Sequence, residues 1–222
     1  MRNVRVWFTK KGQAKYISHL DMNRCMTRAV RRAELPLWFT EGFNPHPYMT
    51  FSLPLPLGVE SLCESMDIRI IDENFTNDNV KESLNRVLPV GIEVTRVNDI
   101  VMKAGEIAFA DYLIHLDVPN NADAIEKIKQ ALDSGELLAE KKGKSGKRKV
   151  VKTVNLAEYV KNYSISSNDS GVELKMTLAA GINKNVNPIL LINTVLQKSG
   201  VECDSKNYMR LALYTQEMEQ FA

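Results

Sequence analysis

The sequence SHLDMNRCMTRAVRRAE, residues 18–34, predicts an amphipathic helix near the start of the chain. Ser18 is a typical N-cap, and Asp21 stands at the third helical position, where an acidic side chain stabilises the first turn. Pro36 ends the helix, because the residue before a proline disfavours helical backbone. A helical repeat of about 100° per residue places small or flexible apolar side chains on one side. They are Met22, Met26, Ala29, Val30 and Ala33.

This helix follows a strand, and the pattern of strands and helices extends through the whole chain. Residues 4–9, VRVWFT, alternate apolar and polar side chains as a half-buried strand does. After the first helix come an extended pair, a second helix and a strand, and the same order recurs in the second half. We therefore predict an α+β fold of two tandem ferredoxin-like β-α-β-β-α-β units, with domains at residues 1–100 and 108–222.

The composition is that of an ordinary globular protein. Of 222 residues, 44% are hydrophobic and 25% are charged, and the formal net charge is only +2. Any basic surface must therefore come from local clustering. The three cysteines stand far apart, which favours a reducing, cytoplasmic location. No run approaches the roughly 18 apolar residues of a membrane span. No spacing such as His-x3-His predicts a metal site, and no cofactor is predicted.

The polar side of the first helix forms an arginine stripe, which consists of Arg24, Arg28, Arg31 and Arg32. On a helical wheel these side chains share an arc of about 100°. Arginine presents a planar fork of donors that fits phosphate oxygens better than an ammonium does. Only Asp21 and Glu34 are acidic neighbours along the helix. The stripe is either a nucleic-acid-binding surface or a solvated helix face, and the residues alone leave both readings open.

A proline-braced loop follows, TEGFNPHP at residues 40–47. Glycine permits a positive φ, and the two prolines stiffen the chain on either side of the histidine. Such a loop holds its side chains at low entropic cost, and we expect it near the N-terminal end of the first helix. Its candidate site residues are Gly42, Phe43, Asn44 and His46. The alternative is a structural turn in which His46 bonds to backbone groups.

A basic arm at residues 141–152, KKGKSGKRKVVK, holds seven basic residues and no acidic one. Its candidate phosphate-binding residues are Lys144, Lys147, Arg148 and Lys149. Contacts of this kind give affinity for nucleic acid without sequence information. The arm is otherwise a solvated hairpin tip.

Two histidines, His46 and His19, are the candidates for acid–base catalysis. His19 and Asp21 point to different sides of the helix, so they form no catalytic pair by themselves. Catalysis would require His19 and His46 to converge in three dimensions. Whether the chain is an enzyme is therefore left open.

The stretch YISHLDMNRCMTRAVRRAELPLWFTEGFNPHPYMTFSLPLPLGVES, residues 16–61, resembles a bacterial family of unknown function, the radical-SAM-linked proteins. Members of that family are fused to, or encoded beside, a radical-SAM protein. The family usually has Ser where this chain has Glu41, so the resemblance implies no role for a hydroxyl there. The chain lacks the Cys-x3-Cys-x2-Cys run of the radical enzyme, and the resemblance implies a stand-alone partner of such an enzyme.

Three functions follow from these features. The first is an accessory RNA-binding module for a separate radical-SAM protein in RNA modification, for which the arginine stripe, the basic arm and the aromatics Trp7, Trp38 and Phe43 argue. The second is an RNA-processing or other acid–base enzyme that uses His46 and His19. The third is a protein-only adaptor that docks on the radical enzyme through the apolar segment FSLPLPLG, residues 51–58.

Overall fold

A computed structural model describes residues 1–119, 121–145 and 148–222, without the side chains of residues 121, 141–145 and 148–151. The described residues divide into two compact units. The first contains Met1–Ile107 and Arg210–Ala222, and the second contains Ala108–Met209. The domain ranges 1–100 and 108–222 stay a prediction. The units differ from them at the C-terminus, because the segment from Arg210 onward contacts the first half of the chain.

Strands and helices alternate in the first unit in the order that the sequence predicts. Its elements are β1 (Arg2–Lys10), α1 (His19–Arg32), β2 (Met49–Phe51), β3 (Glu60–Ile70), α2 (Asn77–Asn85), β4 (Ile92–Asp99) and the final residues of β10 (Ser205–Tyr214). Short 3-10 helices lie at Gly12–Tyr16 and Ala104–Glu106. The strand order is β4-β1-β3-β10, and β2 also pairs with β3. The pairs of β1 with β3, β1 with β4 and β2 with β3 are antiparallel.

Alternation along β1 and β3 builds one side of the core of this unit. The apolar side of α1 packs against these strands, as the wheel predicts. Other buried members of the cluster are Val4, Val6, Phe8, Met66, Ile68, Ile70, Val80 and Leu84. Each fully buried aliphatic or aromatic side chain stabilises the fold by roughly 1.5–3 kcal/mol. This packing turns the arginine side of α1 away from the core.

The second unit repeats the alternation with an additional hairpin. Its elements are β5 (Phe109–Asp117), α3 (Asn121–Asp133), β6 (Leu138–Ser145), β7 (Arg148–Asn155), a 3-10 helix (Leu156–Tyr159), β8 (Val160–Asn168), β9 (Gly171–Ala179), α4 (Pro188–Ser199) and the first residues of β10. The strand order is β10-β5-β9-β8, while β6 and β7 form a separate two-stranded sheet. β8 and β9 form an antiparallel hairpin, in which Asn168 pairs with Gly171 at the turn. Asn187 caps α4, and Gly200 ends it with a left-handed φ of 66°.

The α+β prediction is confirmed at the level of secondary structure. Ten strands and four α-helices occur in the described ranges, and the pairs β1–β3, β1–β4, β2–β3, β5–β9, β6–β7 and β8–β9 are antiparallel. Within those ranges, no helix is both long and apolar enough to cross a membrane.

A tyrosine–aspartate contact joins α3 to β8 in the second unit. The hydroxyl of Tyr163 donates to Oδ1 of Asp133, with 2.5 Å between the two oxygens. Partial burial, the hydrogen bond and the charge of Asp133 together raise the pKa of Tyr163 from 10.0 to about 12. Because the pKa is higher in the folded state, this contact contributes stability below pH 10 that is lost as the pH rises through about 12.

We expect the substitution Asp133→Asn to lower the pKa of Tyr163, because it removes the negative charge that opposes tyrosinate formation. The measurement is a titration of the tyrosinate ultraviolet absorbance, with Tyr163→Phe to identify the contribution of this residue. An identical titration of the native protein and the Asp133→Asn variant would contradict the assignment.

Candidate nucleic-acid interface

Helix α1 begins as its sequence predicts and ends two residues earlier. The Oγ of Ser18 accepts a hydrogen bond from the backbone N–H of Asp21 at 3.1 Å and donates to Oδ2 of Asp21 at 2.6 Å. The bond from Ser18 also lowers the pKa of Asp21. The helix ends at Arg32 rather than at Glu34, because Glu34 adopts a left-handed φ of 51°.

We expect Ser18→Ala to lower the free energy of unfolding by about 1 kcal/mol, because the N–H of Asp21 loses its acceptor. Urea unfolding of the native protein and the variant measures this difference. Ser18→Thr keeps a hydroxyl acceptor and is the control, which should retain most of the stability. Equal stability of the alanine variant and the native protein would show that the cap does not stabilise α1.

The arginine stripe lies on the exposed side of α1, and this part of the prediction is confirmed. All four of its side chains are exposed, while Met22, Met26, Ala29 and Val30 on the opposite side are buried. Arg24 pairs with Asp21 at 3.1 Å on the surface. Within the described part of the chain, Arg28 and Arg31 make no ion pair. Their guanidinium groups are therefore available to an anion from outside.

A groove of about 490 Å³ runs along the stripe, between α1 and the turn that follows α2. Its lining consists of Asp21, Arg24, Cys25, Arg28, Arg32, Val87 and Pro89. One guanidinium nitrogen of Arg32 donates to the carbonyl of Val87 at 3.0 Å, which fixes this side chain on the groove wall. Three arginines against one aspartate leave the groove with a positive charge. An anionic ligand would be stabilised here.

Cys25 is the nucleophilic side chain in this lining. Burial raises the pKa of its thiol, against the opposing effect of Arg32 and Arg28. The thiol is therefore protonated at neutral pH, and it is a weak nucleophile in that form. The groove offers guanidinium donors for binding and no activated thiolate for chemistry.

The proline-braced loop closes on itself through His46 and Thr40. The backbone N–H of Thr40 donates to the carbonyl of His46 at 2.9 Å, and the N–H of His46 donates to Oγ1 of Thr40 at 3.2 Å. The Nδ1 atom of His46 lies 3.0 Å from Oγ1 of Thr40 and 3.1 Å from the carbonyl oxygen of Asn44. These contacts agree with the interpretation of a structural turn in which the histidine bonds to the backbone.

The position of the loop differs from the expectation. Its base at Phe39 lies beside Arg31, whose guanidinium is 5.7 Å from the Phe39 ring centroid. His19 at the other end of α1 packs edge-on against Phe51, with 5.3 Å between ring centroids. Arg31 is about 18 Å from His19 along the helix axis. The base of the loop therefore lies beside the C-terminal end of α1, and the expectation that the loop lies at the N-terminal end is wrong.

Aromatic side chains lie near the loop in two settings. The rings of Trp38 and Tyr48 meet at 6.0 Å, and the Arg69 guanidinium lies 5.0 Å from one and 4.6 Å from the other. Phe43 at the loop tip has no such neighbours among the described side chains, and its relative exposure is 108%. Trp7 is only 4% exposed, so it does not belong to any open aromatic surface.

Buried charges form a group that sequence reasoning missed. Arg5 is fully buried and makes two hydrogen bonds to Asp67, its cross-strand partner, at 2.7 and 3.0 Å. Arg210 and Glu64, both buried, form an ion pair. Burial lowers the pKa of Lys10, and the nearby Glu64 opposes that change. In an alternating strand, the sequence pattern predicts that the polar side chains are exposed. These charged side chains are buried because of partners far away in the sequence, so the pattern along one strand could not reveal the pairs.

Residues 141–145 and 148–151 of the basic arm are described only in their backbone. β6 and β7 pair antiparallel, with Lys144 opposite Lys149. Lys147 lies outside the described residues, as do the side chains of Lys144, Arg148 and Lys149. In the described ranges, no group of three or more His, Cys, Asp or Glu side chains is arranged to hold a metal ion.

Fold and site together define a mixed α/β protein with a basic groove on its first helix. The sequence profile of a bacterial family described as "uncharacterized protein conserved in bacteria" (DUF2344) matches residues 3–188. The chain therefore belongs to this family. No curated protein matches it. It is similar to a chain in the crystal structure of a Cbf5-Nop10-Gar1 complex, with 11% identity and a TM-score of 0.48. That match covers 95% of this chain and 48% of the other, so this chain spans about half of its length.

Proposed function

We propose that the protein is an accessory RNA-binding module that works with a separate radical-SAM protein in RNA modification. The observation that carries the proposal is the exposed arginine stripe along the groove of the first unit. Four guanidinium groups lie within a few helical turns, and the planar fork of each suits the oxygens of a phosphate.

The local charge of the arginine stripe, rather than the net charge of the chain, supports nucleic acid as the ligand. The net charge of +2 would not draw a polyanion to the molecule as a whole. Arg28 and Arg31 carry uncompensated charge within the described ranges, so binding there releases counterions without breaking an internal ion pair. RNA would therefore bind along α1, with affinity that depends steeply on salt.

The sheet of the first unit is a less suitable surface. The side of β1 opposite the core carries Arg5 and Trp7, and both are buried. The Phe221 ring lies 4.4 Å from the guanidinium of Arg5 and 5.7 Å from the Trp7 ring. Because the C-terminal segment covers this side, bases cannot stack on these residues as they do on an open RNA-binding sheet.

We further infer that both units are ferredoxin-like. Numbered within each unit, the strand orders β4-β1-β3-β2 and β10-β5-β9-β8 both read 4-1-3-2, with one helix after the first strand and one after the third. This is the order expected of a β-α-β-β-α-β unit with antiparallel pairing. In the second unit the β6–β7 hairpin is an insertion. Fold alone assigns no function.

The radical-SAM partner enters through the family resemblance of residues 16–61. The chain has only three cysteines, far apart, so the iron–sulfur chemistry would belong to the partner. In this proposal the chain binds the RNA and the partner reacts with it, both in the cytoplasm. An acid–base enzyme built on His19 and His46 is the weaker alternative, because His19 opens α1 while the loop that carries His46 has its base beside Arg31 in the last turn.

Co-purification tests the proposal. The tagged protein is isolated from cells with and without nuclease treatment, bound RNA is sequenced, and bound proteins are identified by mass spectrometry. We expect defined RNA species and a radical-SAM protein in the untreated sample. Capture of the radical-SAM protein without RNA, unaffected by nuclease, would instead support the protein-only adaptor. Absence of RNA above a tag-only control would refute the RNA-binding role.

A further inference from the structure

The tip of the proline-braced loop exposes an aromatic ring completely. Phe43 has a relative exposure of 108%, which no other exposed large hydrophobic residue of the described ranges reaches. Because the ring is fully exposed, the fold lacks the roughly 1.5–3 kcal/mol of stability that burial of a phenylalanine contributes. Gly42 precedes it with a φ of +123°, a conformation that side-chain-bearing residues rarely adopt.

The loop is braced in a way that holds this ring outward. Three hydrogen bonds between Thr40 and His46 close its base, and the side chain of His46 also contacts the carbonyl of Asn44. Pro47 is buried and forms a β-bridge with Phe39. A loop fixed at its base, with prolines on both sides of His46, loses little entropy when a ligand orders it further.

The loop continues the arginine stripe. Phe39 at its base is 39% exposed, and the Arg31 guanidinium lies 5.7 Å from its ring centroid. Phe43 is four residues further on, at most about 14 Å away along the chain. An RNA strand could bind Arg24, Arg28 and Arg31 with successive phosphates and so run toward the C-terminal end of α1. Its next base would then lie at this loop.

We propose that Phe43 is a base-stacking residue that binds an unpaired base of single-stranded RNA at the end of the arginine stripe. This proposal rests on the RNA-binding function proposed above and adds the class of RNA. Aromatic rings stack on any base face, but a base inside a duplex is already stacked on its neighbours. The loop therefore selects single strands, loops or ends, while the arginines bind the flanking phosphates.

A fluorescent base analogue tests the stacking directly. Single-stranded RNA oligonucleotides that carry 2-aminopurine are titrated with the native protein, Phe43→Ala and Phe43→Trp. We expect quenching by the native protein and by Phe43→Trp, and at least a fivefold weaker affinity with less quenching for Phe43→Ala. The salt dependence should stay unchanged, because Phe43 neutralises no phosphate. Ile182→Ala removes another exposed apolar side chain, from the second unit, and is the matched control.

The outcomes separate this inference from the proposed function. If the Phe43→Ala variant binds and quenches like the native protein, the stacking role is wrong and the RNA-binding function stands. If the native protein binds a duplex as tightly as the single strand, selection of unpaired bases is overturned. If the native protein binds no RNA, the function itself fails and the inference fails with it. Phe43 is fully exposed, so its replacement leaves the fold unchanged.

Discussion

Replacement of Arg24, Arg28 and Arg31 together by Gln should weaken the binding of single-stranded RNA about a hundredfold at 0.1 M salt. Each neutralised phosphate contributes a slope of about −0.7 in the logarithm of affinity against that of salt concentration. Loss of three contacts should therefore flatten the slope by about 2 and reduce the affinity of all sequences alike. The measurement is a titration of fluorescent RNA at several salt concentrations.

The triple variant should fold normally. The three side chains are exposed, and glutamine has nearly the same helix propensity as arginine. Because the variant loses three positive charges, it needs a control that loses the same number elsewhere. The second unit has three exposed lysines for this purpose, Lys127, Lys129 and Lys175. Their replacement by Gln changes the net charge equally and should leave the slope nearly unchanged. If both variants flatten the slope to the same extent, total charge governs binding and the stripe is only a solvated helix face.

The contrast between stripe and loop shows which parts of the site could be predicted from the sequence. The start of α1 follows from Ser18, and the side of the helix on which the arginines lie follows from the helical repeat. Both depend only on residues nearby in the sequence. The end at Arg32 could not be predicted, because Glu34 adopts an unusual positive φ that no sequence pattern predicts for glutamate. The binding roles of the stripe, the loop and the basic arm stay predictions.

Contacts between distant parts of the chain escaped prediction. Position in β1 makes Arg5 an outward-facing polar residue, yet it is fully buried because Phe221 and the carbonyl of Ala222 cover it. The loop lies at the C-terminal end of α1 because Phe39 and Pro47 pair across its base, beside Arg31. Both arrangements depend on residues brought together by the sheet, which periodicity along one segment cannot show.

The same long-range burial leads to the largest expected effect on stability. Replacement of Glu64 by Met should lower the free energy of unfolding of the first unit by about 3–5 kcal/mol, because it leaves the Arg210 guanidinium buried without its counter-charge. Glu64 is 5% exposed and Arg210 is 1% exposed, so water screens neither. Arg210 also donates to the carbonyl of Leu53 at 3.2 Å, a contact that cannot replace the lost charge. Urea unfolding measures the difference.

A double substitution distinguishes a buried ion pair from a simple packing effect. In the variant that combines Glu64→Met with Arg210→Met, two apolar side chains replace two buried charges, and the loss should be much smaller than for Glu64→Met alone. Asp123→Asn breaks an exposed pair with Lys127, whose side chains are 53% and 48% exposed, and should cost less than about 1 kcal/mol. The loss in the double variant is compared with the sum of the losses in Glu64→Met alone and Arg210→Met alone. If the two are equal, the two residues are not coupled. The pair would then contribute through packing alone, because coupled charges make the losses non-additive.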